Sequence, residues 1–297
     1  MDLPKITIIT PSFNQGQFLE EALRSVLNQR YPRLEYIVVD GGSTDGSVDI
    51  LKSYAPHLAY WVSEPDRGQA HAINKGLERA TGEVVAFLNS DDLYLPGAFA
   101  AVAEHFRKKV SCKWLCGDVI FFGNPGHRTE LVRSVVPKSA AHCLMCAYRA
   151  PQPGMFWKRE LLRSGFQERL RYCFDHELYV RLLLAGYRCE HLPLPVAAYR
   201  YHSHSKSVAE GERFLEEFNE IAERYEGQLR GAGRRWCAAV RLLRGSYKAG
   251  QAGKIREAAG YLLRAIFTHP EGILRRRLFW RCLPMVLKGI FFRCNQT

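Results

Sequence analysis

Acidic residues nearly disappear from the last quarter of this sequence: residues 228–297 hold only Glu257 and Glu271 against 15 lysines and arginines. Residues 1–227 are balanced, with 27 basic and 28 acidic side chains, so the whole +12 excess sits in the tail. Such asymmetry points to an anionic surface, membrane or nucleic acid, met by the tail. No run of eighteen residues is both apolar and uncharged, which argues against a spanning helix. The opening MDLPKITIITPSF lacks a basic segment followed by an apolar stretch, so no export signal is expected. Nine cysteines, an odd number without an expected export route, do not suggest a disulfide framework. The one metal-like run, His142-Cys143-x-x-Cys146, has no second pair to complete a four-ligand zinc site, and the thiols read as reduced. Also missing are the G-x-G-x-x-G dinucleotide fingerprint and the G-x-x-x-x-G-K-[ST] phosphate loop.

What is present is a well-formed core sequence. Hydrophobic side chains make up 47% and charged ones 24% of 297 residues, which excludes a largely disordered chain and suits one large domain with an appendage. Over the first hundred residues, β-branched runs at 5–10, 35–40 and 83–89 alternate with helical spacing. Leu19, Ala22, Leu23, Val26 and Leu27 lie on one helix face, and further helices are expected over 47–54 and 69–79. This order predicts an α/β domain with a mostly parallel central sheet flanked by helices. Ligands of such sheets bind beyond the carboxyl ends of the strands, which selects Pro11 to Asn14, Asp40 to Ser43 and Asn89 to Asp92.

The middle of the chain is less regular, with strands expected at 119–122 and 131–136. A helix is expected over 175–185, stopped by Gly186, and an acidic helix over 208–226 reads as a solvated face closing the domain. Past Gly231-Ala232-Gly233, Ile255, Ala259, Leu262, Leu263 and Ile266 share a helical face broken at Pro270. Leu274, Leu278, Cys282 and Met285 continue a second face, with Arg275, Arg276, Arg277 and Arg281 among them. Arginines beside apolar residues favour an interfacial helix over a nucleic-acid contact.

Two segments carry candidate chemistry. Asp91 and Asp92 repel one another unless they share a cation, and hard oxygen donors suit Mg²⁺ or Mn²⁺. The alternative is a turn with an aspartate capping the helix before Pro96. Asp40 opens a run with glycines at 41, 42 and 46, letting a ligand approach the backbone ahead of a helix amino end that favours anions. A tight strand-to-helix turn would use the same residues.

Five stretches in order, ITPSFNQGQFLEEALRSVLNQ, YIVVDGGSTDGS, SEPDRGQAHAINKGLERATGEVVAFLNSDD, FDHELYVRLLLAG and YRYHSHSKS, closely resemble glycosyltransferase family 2 over about residues 4–208. The resemblance implies a GT-A-type, Rossmann-like fold that binds a nucleotide-diphospho-sugar with a metal and inverts the anomeric centre. By it, Asp40 matches the carboxylate that meets the base, usually uracil, and Thr10, Pro11 and Ser12 match the loop lining that base. Asn14, Gly42, Ser43, Arg67, Asn74 and Lys75 fall along the nucleotide cleft, Asn89 and Asp91 near the ribose. Asp91, Asp92 and His202 match the metal and diphosphate region, and Asp175 the catalytic base. The nucleotide-sugar half would span about 1–110 and the acceptor half 111–227, with 228–297 as a basic helical tail. Pro151-Gln152-Pro153-Gly154-Met155-Phe156-Trp157 resembles an acceptor-side stretch, although Phe156 and Trp157 equally suit a core strand.

This chain departs from the family pattern in three places. Asn89 stands where many members carry aspartate, Cys173-Phe174-Asp175 lacks a preceding glutamate, and His71 replaces a frequent Asp or Ser. Two other functions fit parts of the pattern: a sugar-phosphate nucleotidyltransferase, and a non-catalytic sugar-nucleotide-binding protein. The first lacks its Gly- and Arg-rich loop here, and the set of four aspartates at 40, 91, 92 and 175 weighs against the second. The expected protein is therefore an inverting, metal-dependent glycosyltransferase of surface-glycan assembly. It would act on a saccharide or lipid-linked acceptor, peripherally at the inner face of the cell membrane, with no nucleic-acid partner.

Overall fold

The computed structural model describes residues 3–123, 128–202, 205–206, 211–274 and 276–294, side chains of 211–212 and 287–294 excepted. Strands β1 (Ile6–Ser12), β2 (Leu34–Asp40), β3 (Tyr60–Ser63) and β4 (Val84–Phe87) alternate with helices α1 (Gly16–Leu27), α2 (Ser47–Tyr54) and α3 (Gln69–Arg79). Three further strands of the path, β5 (Leu93–Tyr94), β6 (Trp114–Phe122) and, beyond a short β7 (Glu130–Val132), β8 (Met155–Lys158), precede β9 (Cys189–Arg200). The sheet order is β3-β2-β1-β4-β8-β6-β9-β5, with β7 paired to β6. The four strands β3-β2-β1-β4 are wholly parallel, as expected for strands joined by helical crossovers. Beyond it β8 runs antiparallel to both β4 and β6. The fold is thus a mixed, mostly parallel sheet flanked by helices.

Register does the positioning. Ser12 pairs with Asp40 and Asp40 with Ser63, so three polar residues stand in a row at the carboxyl edge. Leu19, Ala22, Leu23 and Val26 of α1 are fully buried against Ile6, Ile8 and Val38, the face their spacing predicts. Burying each leucine or valine here contributes ~1.5–3 kcal/mol, so this face is what fixes α1 on the sheet.

Among the differences from the sequence reading, β7 ends at Val132, short of the expected 136, and two larger ones have a physical cause. β6 starts at Trp114, well before the expected 119, because it is buried between β8 and β9 and shows no alternation. β9 was hidden by Pro193 and Pro195, which ordinarily exclude an interior strand. The ladder jumps from Gly117–Leu192 to Asp118–Pro195, so the irregularity absorbs residues 193–194. Phe156 and Trp157 are fully buried in β8, which corrects the acceptor-lining alternative: their rings are core.

The chain packs as two compact units, Met1–Ser139 with Tyr148–Glu217, and Ala140–Ala147 with Phe218–Thr297. The expected division at 227/228 follows charge, whereas packing divides ten residues earlier. α4 (Ala98–Lys108) and α6 (Phe174–Leu184) belong to the first unit, and α5 (Ala140–Leu144) to the second. The end of α7 (Gly211–Tyr225) joins the second unit, where Ile221 and Ala222 are buried and Arg241 pairs with Glu223 and Glu226 at 3.3 and 2.8 Å. Helices α8 (Gly231–Gln251), α9 (Ile255–Thr268), α10 (Pro270–Leu274) and α11 (Arg277–Cys294) surround Leu243, Ala258, Leu262, Ala265, Phe279 and Cys282. Leu263, expected on that inner face, is exposed instead. Among the described residues no helix is long and apolar enough to cross a membrane.

Candidate active site

The carboxyl edge of β1 and β2 is a hydrogen-bonded cradle. Asp40, fully buried, accepts from the Gly42 and Ser43 amides at 3.1 and 2.8 Å and from the Ser43 and Ser63 hydroxyls at 2.5 and 2.7 Å. Asn14, at φ 50, accepts from the Thr44 amide at 2.9 Å, and its own amide donates to Ser43 Oγ at 2.8 Å. The first two loops are therefore tied together as one wall. Gly42 holds φ +84, which favours glycine, while a side chain at Gly41 would push on the Asp66 carboxylate at 2.7 Å and the Phe13 ring at 3.2 Å. Ser12 Oγ is buried here without a hydrogen-bond partner, an orphaned polar atom of the kind a bound ligand satisfies. Phe13, inside the selected segment but given no role by the sequence, is 60% exposed and lies against Gly41, so its ring is open to a ligand.

Several expected nucleotide contacts are already engaged. Thr10 turns inward, its hydroxyl 3.0 Å from the buried Tyr36 hydroxyl, so only its backbone can line the loop. Asn74 exchanges hydrogen bonds with the Phe166 backbone, at 2.9 and 2.8 Å, and donates to Glu168 at 3.0 Å, leaving its carboxamide committed to the 166–168 loop. Arg67 pairs with Glu168 at 2.5 Å and Lys75 with Glu64 at 2.8 Å. His71 accepts the Arg67 amide through Nδ1 at 3.1 Å, a turn contact at the start of α3.

Beyond β4 the two neighbouring aspartates separate in role. Asp91 Oδ2 lies 2.9 Å from His202 Nε2, both partly exposed. Asp92 faces inward, accepting from the Arg200 amide at 3.0 Å and the Asn89 carboxamide at 3.3 Å. Burial, then the charge of Asp91, holds the Asp92 carboxyl well above the usual carboxylate range. Of the three expected metal ligands, Asp91 is presented outward with His202 beside it, and Asp92 lies buried behind them. An imidazole beside the carboxylate matches Mn²⁺ better than the oxygen-preferring Mg²⁺. The last residue of β9 braces this pair, with His202 two residues beyond it: Arg200 Nε donates to the Asp91 carbonyl at 2.9 Å and its guanidinium sits 4.9 Å over the Phe18 ring. Asn89 is fixed by Gln69 at 2.6 Å, and Ser203, His204 and Ser207 of the last motif lie outside the described residues.

Asp175 stands at the first turn of α6, where the Phe174 ring packs 6.0 Å from Phe87 at the end of β4. That contact sets the head of α6 on the same sheet edge as Asn89 to Asp92. Burial pushes the Asp175 carboxyl up to about 6; the His176 amide, donating at 2.7 Å, opposes this and the Glu217 charge adds to it. The residue keeps some exposure although its carboxyl is closely enclosed. By contrast, the run at 142–146 gathers no metal-ligand set. Among the described residues the one such group is His105, Cys112 and Glu190, where Lys109 already pairs with Glu190 at 3.0 Å. An open cavity of about 370 Å³ between Glu83, Lys113, Lys158 and Arg163 lies at the opposite sheet edge, with Lys113 tied to Glu160 at 2.6 Å.

The model of Glycosyl transferase family 2 matches residues 7–162. The chain belongs to that family. Among relatives of this glycosyltransferase, an uncharacterized glycosyltransferase of Mycobacterium tuberculosis is 34% identical over 187 residues, 61% of this chain and 70% of its own. The putative teichuronic acid biosynthesis glycosyltransferase TuaG of Bacillus subtilis is 47% identical over 94 residues, 30% of this chain and 36% of its own. A PGL/p-HBAD biosynthesis glycosyltransferase of Mycobacterium bovis is 36% identical over 179 residues, 58% and 66% of the two chains. In fold, the glycosyltransferase is similar to S. aureus TarS 1-349 in complex with UDP-GlcNAc, with TM-score 0.65 and 19% identity over 96% of this chain and 89% of that one. It spans 54% of the longer TarS chain. The mannosyltransferase PcManGT of Pyrobaculum calidifontis, in complex with GDP-Man and Mn²⁺, gives 0.63 and 21% identity over 98% and 86%.

Proposed function

We propose that this glycosyltransferase moves a hexosyl or N-acetylhexosaminyl unit, with inversion, from a uridine-linked nucleotide-diphospho-sugar to a hydroxyl of a saccharide or lipid-linked acceptor in surface-glycan assembly. The observation that carries the reading is the enclosed Asp175 carboxyl, raised to about 6 at the head of α6, on the sheet edge that also presents Asp91 and His202. A base of that proton affinity is ionised at neutral pH yet strong enough to take a hydroxyl proton.

Asp91 and His202 would hold the divalent cation, which when bound neutralises charge gathering on the leaving diphosphate. Asp40 and the amides it gathers shape the wall for the base, and the exposed Phe13 offers it a ring face. Asp92 and Asn89 keep the turn carrying Asp91 in place. Asp175 removes the acceptor proton, and a single base with direct attack gives inversion. UDP-GlcNAc in TarS, GDP-Man with Mn²⁺ in PcManGT, and the surface-polysaccharide names of TuaG and the mycobacterial relative support the substrate class.

Peripheral attachment to the inner face of the cell membrane belongs to the same proposal. Phe267 is 84% and Trp280 59% exposed, on helices whose outer faces also carry Arg256, Arg264, Arg277 and Arg281. Aromatic side chains among arginines suit an anionic lipid interface. A screen of UDP-, GDP- and dTDP-sugars with Mn²⁺ and lipid-linked or saccharide acceptors tests the activity. Turnover with a UDP-sugar is expected, and turnover with none of them would overturn the reading.

A further inference from the structure

α6 begins without a side-chain cap of its own, since Cys173 at the cap position has no oxygen to offer. Glu217, on α7, holds instead the three amides just ahead of the helix. Glu217 Oε1 accepts the Arg171 amide at 2.7 Å, and its Oε2 accepts the Tyr172 and Cys173 amides at 2.9 and 2.8 Å. Three consecutive amides converging on one anion form a nest, and here it lies at the positive end of the helix that carries Asp175. The attachment is reinforced around the carboxylate: Arg213 donates to the Tyr172 hydroxyl at 2.9 Å, the Tyr172 and Phe214 rings lie 5.1 Å apart, and Cys173 Sγ approaches the Phe214 carbonyl at 3.5 Å.

We propose that Glu217 is the positioning residue for the catalytic base: by gathering the 171–173 amides it fixes where the Asp175 carboxyl stands against the acceptor. The inference rests on the reading of Asp175 as the base. It also gives Glu217 an electrostatic part, because its charge raises the proton affinity of Asp175. The other titratable or charged groups nearby are turned elsewhere: His176 Nδ1 meets the Tyr148 hydroxyl at 2.8 Å, Glu177 pairs with Arg181 at 3.3 Å, and Arg213 meets Tyr172. Arg171, at the start of the nest, is exposed.

Glu217→Gln keeps the shape but turns an NH₂ group toward amide donors, so part of the nest is lost. In the full chain it is expected to leave donor Kd by calorimetry within about twofold while lowering kcat ~10-fold, as for a displaced base. Removing a negative neighbour lowers the proton affinity of Asp175, so the acid limb of kcat/KM moves to lower pH. Glu217→Asp, one methylene short but still charged, should return that limb toward wild type. Wild-type kcat in Glu217→Gln, or losses confined to melting temperature with the limb unmoved, would overturn the positioning role. Should Glu217→Gln not fold, Glu217→Asp decides alone: lowered kcat at unchanged donor Kd supports the role, and unchanged kcat overturns it. Near-normal transfer by Asp175→Asn, measured in parallel, would instead remove the base itself.

Discussion

The proposed donor edge and the proposed base end of this molecule are built by different means. At the donor edge each loop follows directly on a strand and ties to the next loop: Asn14 to Ser43 and Thr44, Asp45 to Gly16 at 2.8 Å, Asp40 to Ser63. The parts are local, and their geometry comes from strand register. At the base end, Asp175 depends on an amide nest filled from another helix more than forty residues away. A site can therefore be half scaffold and half assembly, and the two halves should fail differently when altered.

The largest separation is expected from Asp175→Asn. It keeps shape and removes the basic carboxylate, so transfer should fall ~10²–10⁴-fold while donor Kd survives. Calorimetry beside a transfer assay reads both quantities, and loss of donor binding would erase the contrast. Transfer by the wild type should also fall about tenfold per pH unit below about 6, since the base is lost as it protonates. Next comes Asp91→Ala, expected to lower kcat/KM with Mn²⁺ by ~10²-fold, the scale of lost charge neutralisation. Asp92→Asn should cost much less, because its buried carboxyl sits behind Asp91 and accepts hydrogen bonds from Arg200 and Asn89; equal losses would mark both aspartates as ligands.

Glu35 offers a control at the opposite sheet edge. Although burial raises its proton affinity, hydrogen bonds from Lys5, Thr7 and Thr81 win and lower the carboxyl from 4.5 to about 2. A depressed folded value contributes stability above the unfolded value of 4.5, lost as pH falls towards 2. Glu35→Gln should cost about 2 kcal/mol at neutral pH, discounted for partial solvent screening, and the gap to wild type should close between pH ~5 and ~2 in acid melts. The smallest effect is expected in the second unit: replacing Phe267 and Trp280 with Ser should weaken binding to anionic vesicles about fivefold without touching transfer. Unchanged vesicle binding would detach the membrane from the proposal.

The same contrast explains what the sequence reveals. Ser12, Asp40 and Asp91 are legible because a strand end and a turn announce them, and α2 and α3 fall on their expected bounds. Glu217 is not, because among the glutamates of an acidic helix nothing in the spacing marks the one that turns inward. β9 stays hidden since its prolines read as breakers until the ladder irregularity opposite Gly117 accommodates them. The unit boundary is missed because charge changes after residue 227, whereas Arg241 and the buried Ile221 draw the end of α7 into the second unit. Asp91 and Asp92 look equivalent in sequence; only burial tells them apart.

Arg67 and Lys75 are each already neutralised, by Glu168 and Glu64. For a diphosphate that reaches them, binding is an exchange of anions in which the arriving phosphate displaces a resident carboxylate. Little net charge is gained, so donor affinity should depend on ionic strength less steeply than two free cations would imply. The exchange also runs backwards. Once the sugar had left, each carboxylate, still tethered beside its cation, would compete for it at high local concentration and favour release of the spent nucleotide.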